Sequence, residues 1–259
     1  MKITEFLVEA PGGPITCSLA RPEGLPAPEP ALLLTFATTR RSALAEDPYS
    51  LPARIFSEAG HYALSFDPPK HGERVDRFGE GIAGVCAAFM AGCDPFARFV
   101  ADGQAVMDAC RQRGIPGGER IVACGVSRAA YCALRLAAAE RRILGVAGLA
   151  PVTDWRALSE FVAVRTRPEI AALALDNWAA ELAGRAVFLA IGNTDRRVDS
   201  DACIRLALRI LEEETRRNLS PSLVELHVVP SEGHSLPENW RSAAGHFLLQ
   251  VAEATISNR

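Results

Sequence analysis

Arg120-Ile-Val-Ala-Cys-Gly125-Val-Ser127-Arg-Ala129-Ala-Tyr-Cys-Ala-Leu-Arg-Leu-Ala137 is the stretch from which the fold is read. Residues 121–124 are a short apolar run, and a run without polar alternation is what a strand covered on both faces requires. Residues 129–140, rich in Ala and Leu, predict a helix. Between the two stands one serine, with Gly125 two positions before it and Ala129 two positions after. Small residues there let a strand turn sharply into a helix and raise the hydroxyl above the sheet edge; bulky ones would strike neighbouring backbone. The helix N-terminus just beyond favours negative charge, which is what the oxygen of an attacked carbonyl acquires. Small-x-Ser-x-small also arises by chance in a chain rich in Gly and Ala. It carries a function only if an acid and a histidine follow, in that order and each after a strand.

Working outward, the pattern alternates. Residues 2–9 and 14–21 predict an antiparallel hairpin across Pro11-Gly12-Gly13, and residues 25–30, with three prolines, a loop. Residues 31–36 predict a buried strand, 51–59 a helix stopped by Gly60, and 62–66 another strand. Phe99, Gly103, Val106, Met107 and Cys110 share one helical face across residues 96–113. Residues 143–149, 186–191 and 223–229 read as strands. Residues 199–217 read as a helix with Ile204, Ala207, Leu208 and Leu211 inward. A last helix starts near Glu238 and packs Ala244, Phe247, Leu248 and Val251. Residues 155–184 are helical but unevenly patterned, a candidate small cap. Strand–helix alternation of this kind predicts an α/β fold with a mostly parallel sheet and helices on both faces.

The bulk numbers narrow the classes. A chain of 259 residues fits one large α/β domain. A net charge of −3 and a pI near 6.0 give no electrostatic argument for nucleic acid or an anionic membrane. The N-terminus has no signal-peptide apolar region, and no apolar run approaches the ~20 residues of a membrane helix. Seven cysteines, without a CxxC pair, read as buried reduced thiols in a cytoplasmic protein.

The acid and the histidine are present. Residues 186–191 run into Gly192-Asn-Thr-Asp195-Arg-Arg-Val198, and a carboxylate at a strand's C-terminal end can reach the sheet's active edge. Asp195 could instead only bond turn amides. Asp199 and Asp201 read as a helix N-cap and a first-turn acid. Residues 223–229 lead to Pro230-Ser-Glu-Gly233-His234-Ser235, a loop that can carry an imidazole over the edge. Among the other histidines, His61 precedes a strand, His227 lies within one beside acids, and His246 falls on the surface of the last helix. His71, in Asp67-Pro-Pro-Lys-His71-Gly-Glu-Arg74, is the competitor; its Pro-rich approach predicts a structural turn, with the imidazole bonding backbone and fixing Asp67 or Arg74.

Gly125-Val-Ser127-Arg-Ala129, Gly192-Asn-Thr-Asp195-Arg-Arg-Val198 and Gly233-His234 together resemble the nucleophile elbow, acid turn and histidine loop of the α/β-hydrolase fold, in that family's order. The chain is most similar to its dienelactone-hydrolase and prolyl-oligopeptidase-like branch, through the residue 66–74 loop and Ala150-Pro-Val-Thr-Asp154-Trp155. The resemblance implies one α/β-hydrolase domain over residues 1–259, an eight-stranded, mostly parallel sheet and a short cap insertion. It implies Ser127 as nucleophile, His234 as base and Asp195 as orienting acid. Backbone N–H groups of Arg128 and Thr38 (or Ala37) would form the oxyanion hole, although Phe36-Ala37 stands where the family usually has His-Gly. Arg128 follows the serine where relatives carry smaller residues. Its side chain either sets a cation beside the oxyanion or a substrate carboxylate, or bonds the cap or a neighbouring acid. The implied activity is carboxylic ester hydrolysis on a small or medium substrate, with no metal or organic cofactor and a homodimer left open. Two alternatives stand beside it: a peptidase, weakened by the missing N-terminal domain of oligopeptidases, and a non-catalytic binding protein.

Overall fold

In the computed structural model, which describes residues 1–257, each apolar run is a strand. β1 (Lys2–Val8) and β2 (Ile15–Arg21) form the antiparallel hairpin. β3 (Leu32–Phe36), β4 (Tyr62–Phe66), β5 (Ile121–Val126), β6 (Ile143–Leu149), β7 (Ala186–Gly192) and β8 (Val224–Val229) complete one eight-stranded sheet. The order is β1-β2-β4-β3-β5-β6-β7-β8, antiparallel at β1–β2 and β2–β4 and parallel from β4 to β8. β3, β4 and β7 are buried along their whole length, which is why each reads as an unbroken apolar run. This is the α/β-hydrolase fold.

The helices are α1 (Arg40–Ala45), α2 (Leu51–Glu58), α3 (Gly81–Met90), α4 (Pro95–Gln112), α5 (Arg128–Ala139), α6 (Pro168–Ala171), α7 (Ala179–Leu182), α8 (Ser200–Arg216) and α9 (Glu238–Ser257). α2 and α9 pack on each other and on the sheet; α4 packs on α5, which covers β5 and β6 from the other face. Asp94 starts α4 by accepting from the amides of Phe96 and Ala97 at 2.9 and 3.0 Å, with Pro95 at the first helical position. The expected face of α4 is buried, from Phe99 through Gly103, Val106 and Met107 to Cys110. No single helix among the described residues is long and apolar enough to cross a membrane.

One expectation needs correction, and two stretches gain detail. The inward face of α8 is Cys203, Leu206, Ala207, Ile210 and Glu214, while Leu208 is 52% exposed. The apolar stripe Cys203, Leu206, Ala207 and Ile210, at helical spacing, sets that rotation, and polar bonds fit it. Asp199 caps the start through the amides of Asp201 and Ala202, and Glu214 turns inward to accept from the Gly184 amide at 3.0 Å. The uneven helical pattern of residues 155–184 resolves into the short α6 and α7 with 3₁₀ turns at Trp155–Ala157, Ser159–Phe161 and Leu175–Trp178. Their apolar side chains serve a local aromatic cluster, with Trp155 against Phe96 and Tyr131 at ring distances of 4.7 and 5.2 Å. Finally, α1 and α3 had no reading in the sequence. α1 is held by a reciprocal Thr39–Ser42 cap, and α3 is apolar and glycine-bearing around its circumference, so no period marks it.

Candidate active site

The chain leaves β3 towards β4 on one side and reaches β5 on the other, although β3 and β5 are neighbours. A reversal of winding opens a crevice outside the C-terminal ends of those two strands, where open α/β sheets bind ligands. Ser127 leaves β5 at that point. Its backbone lies at φ 56° and ψ −122°, a region costing a non-glycine residue on the order of 1–3 kcal/mol. Tertiary bonds hold it there: the Ser127 amide donates to Leu149 O at 2.8 Å, and its carbonyl accepts from the amides of Ala130 and Val152 at 3.0 and 3.3 Å. The flanking small residues are required, since a Cβ at Gly125 would stand 2.6 Å from Ala130 Cα, and Ala129 is fully buried.

The other two loops converge on this serine. His234 Nε2 is 3.0 Å from Ser127 Oγ, and His234 Nδ1 is 2.7 Å from Asp195 Oδ2. A carboxylate only accepts, so Nδ1 carries the proton and Nε2 offers its lone pair to the Ser127 hydroxyl. Asp195 is 2% exposed, and its other oxygen accepts from the amides of Arg197 and Val198 at 3.0 and 3.2 Å. Burial alone would raise its pKa. The hydrogen bond and charge of His234, with the two amides, outweigh burial and hold the carboxyl below its ordinary value. The acid turn and the histidine loop are stapled together, Ser231 N donating to Asn193 Oδ1 at 3.2 Å and Thr194 Oγ1 to Ser231 O. Gly192 permits this approach, because any Cβ there would collide with the Ser231 side chain. Asp199 caps α8 as expected and does not join the relay.

Phe36 pairs in register with Gly125, so Ala37 and Thr38 continue alongside the elbow, and Arg128 is the first residue of α5. The Thr38 loop has a support that the sequence did not reveal. The Asp67 carboxylate accepts from the Arg40 amide at 2.7 Å, the Arg40 guanidinium at 2.8 Å and the Glu73 amide at 2.9 Å, tying the loop after β3 to the loop after β4. His71 therefore does not fix Asp67 or Arg74. It is buried and its Nδ1 donates to Pro69 O at 2.8 Å, while Arg74 pairs with Asp102. Burial first, and then the Arg128 charge, lower the His71 pKa and keep the ring neutral. His61 and His227 also have local partners, and His246 is exposed, as expected.

A second unpredicted feature links the acid turn to residues 155–164. Arg197 donates to both Glu160 oxygens at 2.8 and 2.6 Å and to Ser159 Oγ at 3.0 Å. These bonds, the Arg197 one foremost, hold the Glu160 carboxyl down at about 2. The folded state thus binds fewer protons at Glu160 than the unfolded chain between the ordinary glutamate value and about 2, so this clamp's stability is complete above that window and lost as pH falls through it. Glu160→Gln is expected to lower the melting temperature at pH 7, with the gap to the parent narrowing below a pH of about 4.3. A gap independent of pH in thermal melts would contradict the clamp.

No family model matches the chain, and no curated protein sequence matches it. Solved structures do. A cold-adapted esterase from an Arctic intertidal metagenomic library aligns over 96% of this chain and 92% of its own, at 21% identity and a TM-score of 0.68. An acetyl xylan esterase from a Paenibacillus species aligns over 95% and 83%, at 17% identity and a TM-score of 0.70. A putative dipeptidyl aminopeptidase IV from Bacteroides ovatus gives a TM-score of 0.73 at 14% identity; 98% of this chain is covered, but only 36% of that one. At these identities the likeness is one of fold, and it agrees with the α/β-hydrolase topology described above.

Proposed function

We propose that this protein is a serine hydrolase that cleaves carboxylic esters of small or medium substrates through an acyl-enzyme. The observation that carries the reading is the unbroken run of hydrogen bonds from Ser127 Oγ through His234 to Asp195. A serine hydroxyl is a weak nucleophile at neutral pH. As Oγ bonds to the substrate carbonyl carbon, its proton passes to His234 Nε2, and Asp195 stabilises the imidazolium. The tetrahedral oxyanion is received by the backbone N–H of Arg128 and that of Thr38 or Ala37, next to the positive end of α5. Collapse breaks the bond to the alcohol oxygen, which leaves with the proton from Nε2. Water then attacks the acyl carbon with the same base, releasing the acid and restoring Ser127.

The names of two structural neighbours, both esterases, support this reading, and a third, a putative peptidase, supports the alternative. Turnover of aryl esters without turnover of aminoacyl amides separates the two. The reading takes residues 1–259 as one domain with residues 155–184 as its cap. It places the protein in the cytoplasm, supported by seven free cysteines, five of them buried; a homodimer is a proposal that sedimentation decides. The direct test is a fluorophosphonate probe. It is expected to add one adduct mass to Ser127 and none to Ser127→Ala. Labelling that persists in Ser127→Ala would remove the serine from its assigned role.

A further inference from the structure

Several of the partly buried cations around the elbow are paired with carboxylates. Arg40 pairs with Asp67 and Glu73 at 2.8 and 2.7 Å, Arg197 with Glu160 at 2.6 Å, Arg74 with Asp102 and Lys70 with Asp76. Arg128 has no carboxylate. Among the described residues it makes no side-chain hydrogen bond or ion pair, and its Nε is buried without an acceptor. The groups whose charge it feels are Cys132, Tyr49, Arg197, Glu80 and His71, and none of them bonds it. Arg197 is already committed to Glu160, His71 is neutral, and Glu80, the one carboxylate among them, acts through its charge and makes no bond.

Position matters as much as the missing partner. Arg128 is the first residue of α5, immediately after Ser127. Side chains of a helix lean towards its N-terminus, so an arginine at this place leans back over the turn that carries Ser127, where the charges of Glu80, Arg197 and His71 reach it. A guanidinium with a buried, unsatisfied N–H is destabilising until an acceptor arrives. Its planar fork fits a carboxylate with two parallel bonds. The backbone N–H of the same residue serves the carbonyl oxygen, so the head, a full side chain away, meets another part of the substrate.

We propose that Arg128 binds an anionic group of the substrate, so that the preferred ester carries a free carboxylate besides its scissile bond. This rests on the hydrolase reading and names its substrate class. The anion can sit on the acyl or the alcohol side, and paired substrates tell which. p-Nitrophenyl hemisuccinate against p-nitrophenyl butyrate probes the acyl side; p-acetoxybenzoate against phenyl acetate probes the alcohol side. In the parent protein, kcat/KM should favour the anionic member of one pair. In Arg128→Gln that anionic-to-neutral ratio is expected to fall by about 10–100-fold, mainly through KM, with part of the loss recovered in Arg128→Lys. An unchanged ratio in both pairs while neutral esters still turn over overturns the anion site and leaves the hydrolase reading standing. An equal fall in kcat for anionic and neutral esters also overturns it, because the head then acts on the oxyanion. A binding readout keeps the two readings apart if the parent cleaves no ester at all. Calorimetric titration of Ser127→Ala with monomethyl succinate (anion on the acyl side) and with p-acetoxybenzoate (anion on the alcohol side) should show saturable binding of at least one of them that is lost in Ser127→Ala/Arg128→Gln. No binding of either ester to Ser127→Ala, or equal binding to both variants, would reject the proposal.

Discussion

Replacing His234 with alanine is expected to lower kcat for p-nitrophenyl acetate by on the order of 10⁶-fold, with little change in melting temperature. The size follows from what the imidazole does twice: it takes the Ser127 proton during acylation and the water proton during deacylation. Its contacts explain the small thermal effect. The ring is part-exposed in the crevice and bonds two side chains, Ser127 and Asp195, rather than core. His71 is the contrasting control. It is 2% exposed, and its Nδ1–H satisfies the Pro69 carbonyl. His71→Ala is expected to lose about 1–3 kcal/mol of stability by leaving that buried carbonyl unpaired, while the folded fraction still turns over. Stopped assays and thermal melts on both variants read the two signatures. A stable, inactive His71→Ala beside an active His234→Ala would overturn the relay.

Asp195→Asn is expected to leave the fold intact and lower kcat by about 10⁴-fold. An amide in that place can present its NH₂ to the ring, which favours the tautomer with the proton on Nε2, and that nitrogen then cannot accept from Ser127. The neighbouring amides of Arg197 and Val198 keep an oxygen to donate to, so the acid turn keeps its shape. Asp199→Asn is the matched comparison, because Asn caps helices about as well as Asp. It should retain activity and helix α8 together. If Asp199→Asn is the variant that loses turnover, the relay runs through a different acid from the one bonded to His234.

Much of this molecule was legible in the chain. Unbroken apolar runs such as Leu32–Phe36 and Ala186–Gly192 specify buried parallel strands, since only a strand covered on both faces tolerates no polar position. Gly125 and Ala129 specify the tight elbow by their small size, and Asp199 specifies a helix start by accepting amides two and three residues on. These signals act over a few residues, so sequence suffices to read them. The tertiary structure decided what depends on residues distant in the chain. It brought Asp195 and His234, 39 residues apart, to 2.7 Å, and it set Arg197 on Glu160 across 37 residues. It turned Glu214 inward on α8, where one oxygen accepts from the Gly184 amide, and left Leu208 exposed. It also assigned carboxylates to Arg40, Arg74 and Arg197 and none to Arg128. Charge pairing over such separations follows sheet register and loop path, and neither is encoded in the period or composition of a single segment.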